Sequence, residues 1–308
     1  MSNNKPKIAV VGSSNMDLVV KSQRIPAVGE TILGGDFIMV PGGKGANQAV
    51  AAAKLGAEVY FIAKLGNDIY AKQSIENFKK ETVNTSHVIQ TGEAPSGVAL
   101  IMVDDAGNNS IVVAPGANNT LLPADVKKAE SDIASCGAVV AQLEVPLETI
   151  EFTAKMANDL KVPFVLDPAP ARELSPEMLG MVDVLTPNET EAQMLTGIEV
   201  TDEETARAAA GKLLENGIKT VIITLGNKGY LLADSEETKY VSAQKVDAVD
   251  STAAGDAFTG SLAVGIAQGK AILDAALFAN YVAALSVTRM GAQSSMPALA
   301  EVESFMDS

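Results

Sequence analysis

One carboxylate, Asp256, stands in the run VDSTAAGDAFTGSLAVG directly behind Ala253, Ala254 and Gly255, where an extended segment gives way to an apolar helical pattern. The first turn of a helix carries N–H groups with no intrahelical partner, and small residues let an anion approach them closely. Asp256 is therefore either a helix cap or a base beside an anion hole. The second arrangement suits phosphoryl transfer. A base receives the proton of a hydroxyl nucleophile while the hole and a metal ion neutralise charge spreading over the transferred group. The tight run of small residues before Asp256 favours the base.

Three other stretches carry groups of the same kind. PGGKGANQAVAAAKLGA turns on glycines and becomes an alanine-rich helix, with Lys44 and Asn47 near its N-terminus. It is not a Walker A loop, because that motif needs Ser or Thr after the lysine and Lys44 is followed by Gly45. In TLGNKGYLL, backbone amides around Gly226 to Gly229, with the Thr224 hydroxyl, form either a phosphate cradle or a plain hairpin. NETE, from Asn188 to Glu191, offers hard oxygens to a hydrated Mg²⁺ or simply places acids at a helix start.

These groups need a scaffold that gathers them. Short Val/Ile-rich runs alternate with helical patterns over most of the 308 residues, the pattern of an α/β domain built on a buried, mostly parallel sheet flanked by helices. The first strand, KIAVVG, ends in a polar turn with Asn15 and Asp17, which is either an Asx turn or part of a ligand site beyond the strand's carboxyl end. Later strands end at Glu144, at Asp167, at Asn188 with Glu191, and at Thr224 with Gly226 and Gly229. Polar groups at successive strand ends converge on one sheet edge, which is how a substrate cleft is made. Two segments break the pattern: about 16–41 and 96–118 are strand-rich and lack a helical period. They read as a small separate sheet within a single domain spanning 1–308.

Composition removes several alternatives. With 47% hydrophobic residues the chain builds a large core, and no stretch approaches the roughly 20 apolar residues of a membrane span. No secretory signal pattern opens it, so a cytoplasmic location is expected. A formal charge of −15 argues against nucleic acid or an anionic membrane as partner. The single cysteine, Cys136, excludes an internal disulfide and reads as a core residue. The single histidine, His87, reads as a plain surface residue, leaving a Ser-His-Asp hydrolase or a His-rich zinc site without material. Proton transfer falls to a carboxylate or a lysine.

Taken together, these stretches resemble the ribokinase family of carbohydrate kinases over nearly the whole chain. One family signature looks like GGKGANQAVAAAKLGA through FIAKLGND, and the other like VDSTAAGDAFTGSLA; PAVGET, DPAPAR, TPNETEA, TLGNKG and VTRMGAQSS between and after them are similar to the family as well. Ser251 stands where threonine is usual, and IMVP precedes the GGKG glycines where shorter or aromatic residues are frequent.

The resemblance implies an ATP-dependent kinase acting on the primary hydroxyl of a sugar, with Asp256 as base and Ala253, Ala254 and Gly255 as anion hole. It implies sugar contacts from Asn15, Asp17, Gly43, Lys44, Asn47 and Glu144. For the nucleotide it points to Asn188, Glu191, Thr224, Gly226, Gly229 and Gly255, with Asn280 against the adenine. It further implies Mg²⁺, and a K⁺ site drawn from Asp250, Thr252, Ser286, Arg289, Gly291 and Ser295, several through main-chain carbonyls. The strand-rich segments become a lid that covers the sugar and pairs two subunits as a homodimer. D-ribose is the expected sugar, with deoxyribose, a ketose or a nucleoside as alternatives; few aromatic residues are available to form a base platform. A binding protein that lost the chemistry could dispense with Asp256 and its turn, and here both are intact.

Overall fold

The computed structural model describes residues 5–308. Apolar runs such as KIAVV hide both faces only as inner strands of a covered sheet. Accordingly β1 (Lys7–Val11) lies inside a nine-stranded sheet, parallel to β4 (Glu58–Gly66) on one side and to β8 (Ala138–Gln142) on the other. Beyond β4 lies β5 (Val88–Thr91). Beyond β8 follow β9 (Phe164–Asp167), β10 (Val184–Leu185) and β11 (Thr220–Thr224), all parallel, then the antiparallel β12 (Gly229–Asp234) and β13 (Thr238–Ser242).

Alternation along each strand divides the core into two layers. Ile8 and Val10 join one apolar cluster and Ala9 and Val11 the other, all fully buried. Helices α1 (Lys44–Lys54), α2 (Ile69–Lys80), α9 (Ala254–Ala267), α10 (Ile272–Ser286) and α11 (Leu299–Met306) cover the first layer. The second is covered by α3 (Pro123–Lys127), α4 (Glu130–Ile133), α5 (Leu147–Leu160), α6 (Pro176–Leu179), α7 (Glu189–Thr196) and α8 (Glu203–Leu214).

Small residues let α1 and α9 approach closely. A Cβ at Gly260 would meet the Gln48 carbonyl oxygen at 2.7 Å, so the crossing requires glycine. That contact brings the polar face of α1 against the first turn of α9.

The strand-rich segments form a separate four-stranded sheet, in the order β3 (Phe37–Gly42), β2 (Asn15–Lys21), β6 (Gly97–Val103), β7 (Asn109–Ala114). Cys136 is buried, as expected. His87 is not a plain surface residue: its Nε2 lies 2.6 Å from Asp132 Oδ2 with the ring mostly covered. The reason is tertiary, since the loop before β5 passes beside α4. The run VDVLTPNE also yields only the two-residue β10, because Asn188 already caps α7.

Candidate functional site

The chain leaves β1 and β8 toward opposite ends of the large sheet, so the crevice beyond their carboxyl ends is the topological switch point where open α/β sheets place ligands. Asn15 and Asp17 enter it on β2, directly after β1. Gly43, with φ 89°, must be glycine, because a Cβ there would meet the Asn15 nitrogen at 2.7 Å. Glu144, just past β8, accepts from the Ser13 hydroxyl and from the Lys44 backbone N–H at 3.1 Å. Burial, then the nearby Glu144 and Asp256 carboxylates, push the Asp17 carboxyl up to about 7.

Asp256 lies in the first turn of α9 and is 4% exposed. Both of its oxygens are held by α1: Asn47 Nδ2 donates to Oδ2 at 2.8 Å and Gln48 Nε2 to Oδ1 at 3.2 Å. Lys44, Asn47 and Gln48 stand at i, i+3 and i+4, which puts all three on one helix face. Burial works against the Lys44 ammonium, but the carboxyls of Asp256, Asp167, Glu144 and Glu191 outweigh it and hold its pKa above the ordinary lysine range. Burial dominates in the other direction for Asp256 and Asp167, raising both.

The turn before Asp256 differs in one respect from the expected anion hole. Ala253, at φ 61°, caps α9 in the left-handed region, and the Ala254 N–H turns back to the Ser251 carbonyl at 3.2 Å. Among the described residues, the N–H groups of Ala253, Gly255 and Asp256 have no hydrogen-bond partner. The open donors are therefore these three, and Ala254 contributes its small side chain rather than an amide. A Cβ on Gly255 would meet nothing within 4 Å, so this turn faces open space.

A cavity of about 340 Å³ covers the turn and takes in Lys44, Asn188, Thr224, Gly229, Gly255 and Asp256. Gly226 and Asn280 line it and also a neighbouring cavity of about 400 Å³, walled by Ala283, Ala284 and Val287 of α10 and its end. Asn280 Nδ2 donates to the Ser242 carbonyl at 2.9 Å. TLGNKG is a hairpin between β11 and β12, and its turn also lines both cavities. Asn188 and Glu191 form a reciprocal capping box: the Asn188 N–H donates to Glu191 Oε2 at 2.8 Å and the Glu191 N–H to Asn188 Oδ1 at 2.9 Å. Burial raises the Glu191 pKa against these bonds.

Below the turn before Asp256 two loops meet. Asp250 Oδ1 accepts from the Thr252 N–H and hydroxyl, and its Oδ2 from the Gly291 N–H at 2.8 Å. Despite partial burial, these bonds hold its pKa below the usual carboxylate range. The Ser286 and Ser295 hydroxyls turn to the carbonyls of Ala283 and Ala292, while the Arg289 guanidinium pairs with Glu301. What this set can offer a cation is mainly carbonyl oxygen.

Sequence reasoning passed over Gln48, Gln142 and Asn118, and read Asp167 only as a strand end. Asn118 Nδ2 donates to Asn15 Oδ1 at 2.7 Å, orienting a residue of the crevice. For Gln48 a signal was available in its spacing from Lys44. For Asn118 and Gln142 there was none, because their partners are distant in the chain.

A family description, pfkB family carbohydrate kinase, matches residues 5–299. A Haemophilus influenzae protein named Ribokinase is 42% identical over 97% of this chain and 98% of its own. A Salmonella typhi protein named Deoxyribokinase is 40% identical over 97% of this chain and 98% of its own. The solved structure of Arabidopsis thaliana ribokinase, complexed with ribose and ATP, is 33% identical and superposes with a TM-score of 0.92, covering 99% of this chain and all of that one.

Proposed function

The chain belongs to the pfkB family of carbohydrate kinases, and we propose that it transfers the γ-phosphoryl group of ATP to the primary hydroxyl of D-ribose, giving ribose 5-phosphate. The observation that carries this reading is the position of Asp256. Its carboxylate is gripped by two amides, lines the cavity over the α9 N-terminus, and lies near enough to Asp17 to raise that group's pKa.

The sugar occupies the crevice of Asn15, Asp17, Gly43, Lys44, Asn47 and Glu144, whose donors and acceptors suit a small polyhydroxy compound. The primary hydroxyl gives its proton to Asp256 as its oxygen attacks the γ-phosphorus. The bond from that phosphorus to the bridging oxygen breaks, and its electron pair leaves with ADP. The open N–H groups of Ala253, Gly255 and Asp256, with the Lys44 ammonium, neutralise charge on the transferred group. The phosphates lie along Asn188, Thr224, Gly226 and Gly229, and the adenine enters the apolar cavity beside Asn280.

Among the described residues, no cluster of three His, Cys, Asp or Glu side chains forms a metal cage. That fits Mg²⁺, which keeps its waters and rides on phosphates. Glu191 Oε1 and the Glu189 carboxylate remain for its water shell, and the ion would neutralise phosphate charge. For K⁺ the support is the donor set. Among the described residues, the carbonyls of Asp250, Thr252, Arg289 and Gly291 accept no hydrogen bond, as a large cation held by carbonyl oxygens requires.

The small sheet is read as a lid over the sugar and as the contact of a homodimer. No helix among the described residues is long and apolar enough to cross a membrane, and the cytoplasm, where ATP is available, is the compartment this reading implies. Deoxyribose remains the second reading because the Salmonella typhi relative bears that name at similar identity. A coupled ADP-release assay across ribose, 2-deoxyribose, fructose and a nucleoside tests the choice. Ribose should lead 2-deoxyribose by roughly 1–3 kcal/mol in kcat/KM, the effect of leaving one buried polar group unpaired. Equal use of the two pentoses would contradict the ribose assignment.

A further inference from the structure

Behind Asp256 lies a second buried carboxyl that the transfer step does not use. Asp167, at the end of β9, is 5% exposed and forms no ion pair with any described residue. Its Oδ2 accepts at 2.8 Å from Gln48 Nε2, the same nitrogen that donates to Asp256 Oδ1 at 3.2 Å. Gln48 Oε1 in turn accepts from Gln142 Nε2, on β8. This last bond fixes which way the Gln48 amide faces: its oxygen points to Gln142 and both of its protons point to carboxylates. Gln48 and Gln142 are both fully buried.

Two carboxyl groups enclosed at one site ordinarily share a proton, and one of them then stays protonated near neutral pH. An amide between them changes the outcome. It gives each carboxylate its own N–H donor and, having no titratable proton, cannot pass one across.

We propose that Gln48, oriented by Gln142, is a positioning residue that stands as a wedge between Asp167 and Asp256, keeping the two acids from sharing a proton and so leaving Asp256 free to take the proton of the acceptor hydroxyl. This rests on the reading of Asp256 as the base. The other charged groups acting at the site are Lys44 of α1, Asp17 of β2, Glu144 after β8 and Glu191 of α7. The substitutions below leave these groups in place, so their effect is common to every profile compared.

The test is the pH profile of kcat at saturating sugar and ATP. Gln48→Leu keeps the volume and removes the wedge. Its acid limb should move up by about one pH unit or more, with most of the lost turnover returning at alkaline pH. In Gln48→Leu/Asp167→Asn, where the second acid is gone, the limb should return toward its original position. A Gln48→Leu enzyme slowed equally at every pH, with its limb unmoved, has lost only structure, and that result overturns the proposal.

Should Gln48→Leu fail to fold, Gln142→Leu decides: with its orienting donor gone the Gln48 amide is free to turn its oxygen toward the carboxylates, so the acid limb should move up, and an unmoved limb overturns the proposal. Asp256→Asn separates the two claims. Turnover in that variant defeats the base assignment itself, whereas an inactive Asp256→Asn beside an unmoved limb in the other variants defeats only the wedge.

Discussion

On the proposed reading, Asp17 carries the pH dependence of substrate binding. Its carboxyl is pushed up to about 7 by burial and by Glu144 and Asp256, so near neutrality it sits at the edge of its ionised form. Neighbouring sugar hydroxyls need an acceptor there, and protonation replaces one acceptor site with a donor. The KM for ribose should therefore rise as pH falls through 7, approaching about tenfold per unit well below it, as the ionised fraction falls. Initial rates at several pH values check this, and in Asp17→Asn the pH dependence of KM should flatten. The sign for stability is opposite to that of a salt-bridged acid. The folded chain holds this proton to higher pH than the unfolded one, so this group's contribution to stability falls as pH rises from 3.8 to about 7. Residues whose chemistry shows in a short stretch, such as Asp256 behind small residues, were legible in the sequence. Gln48 was legible only as a helix-face neighbour of Lys44, and Gln142 and Asn118 not at all, because an amide's role depends on what a neighbouring strand or helix brings to it.

Two elements carry predictions of their own. The small sheet is largely apolar on both faces, Asp17 being a charged exception on one. Asp17 shares one face with Ala99 and Val113, while Met39, Leu18, Leu100 and Val112 line up across the other. Met39, Leu100 and Val112 are 47%, 53% and 64% exposed. A four-stranded sheet with such a face is marginal in water, and a second lid of the same kind would cover it. Light scattering at micromolar concentration should give the mass of a dimer, and charged substitutions at Leu100 and Val112 should produce monomer; a native chain that is strictly monomeric would contradict the pairing.

The second element is the junction of the loop before α9 with the loop after α10. Val287 accepts the N–H groups of Val249 and Asp250, and Asp250 ties Thr252 to Gly291. A cation bound there would brace the Ala253 turn. Replacing K⁺ by a bulky organic cation at constant ionic strength should lower kcat/KM, and Asp250→Ala should abolish the difference. Indifference of the native enzyme to the cation would count against the site. The strand-rich segments and the helix starts were legible from alternation and glycine placement. The short helices α3, α4 and α6 were not, since four or five residues establish no period. His87 was misread because its partner Asp132 comes from another element.

At the scale of the whole molecule, function follows from where two structures meet. A parallel sheet places polar strand ends along one crevice, and the α1/α9 crossing sets Asp256 between that crevice and a cavity floored by open N–H groups. The net charge of −15 does not prevent anion binding, because local N–H groups and Lys44 act at contact range while distant charges are screened over about 10 Å. Asn280 became visible only through resemblance, as its neighbours in the chain are ordinary helix residues and its cavity forms from the segment after β13, the start of α9 and α10 together. The most direct measurement is turnover and ribose binding in the native chain and in Asp256→Asn, which keeps size and removes the proton acceptor. The account predicts ribose-dependent ADP release with phosphate on the primary hydroxyl by ³¹P NMR in the native protein, and in the variant a loss of roughly 10²–10⁴ in kcat with ribose still bound. Near-native turnover in Asp256→Asn, or no ribose-dependent ADP release from the native chain, would contradict it.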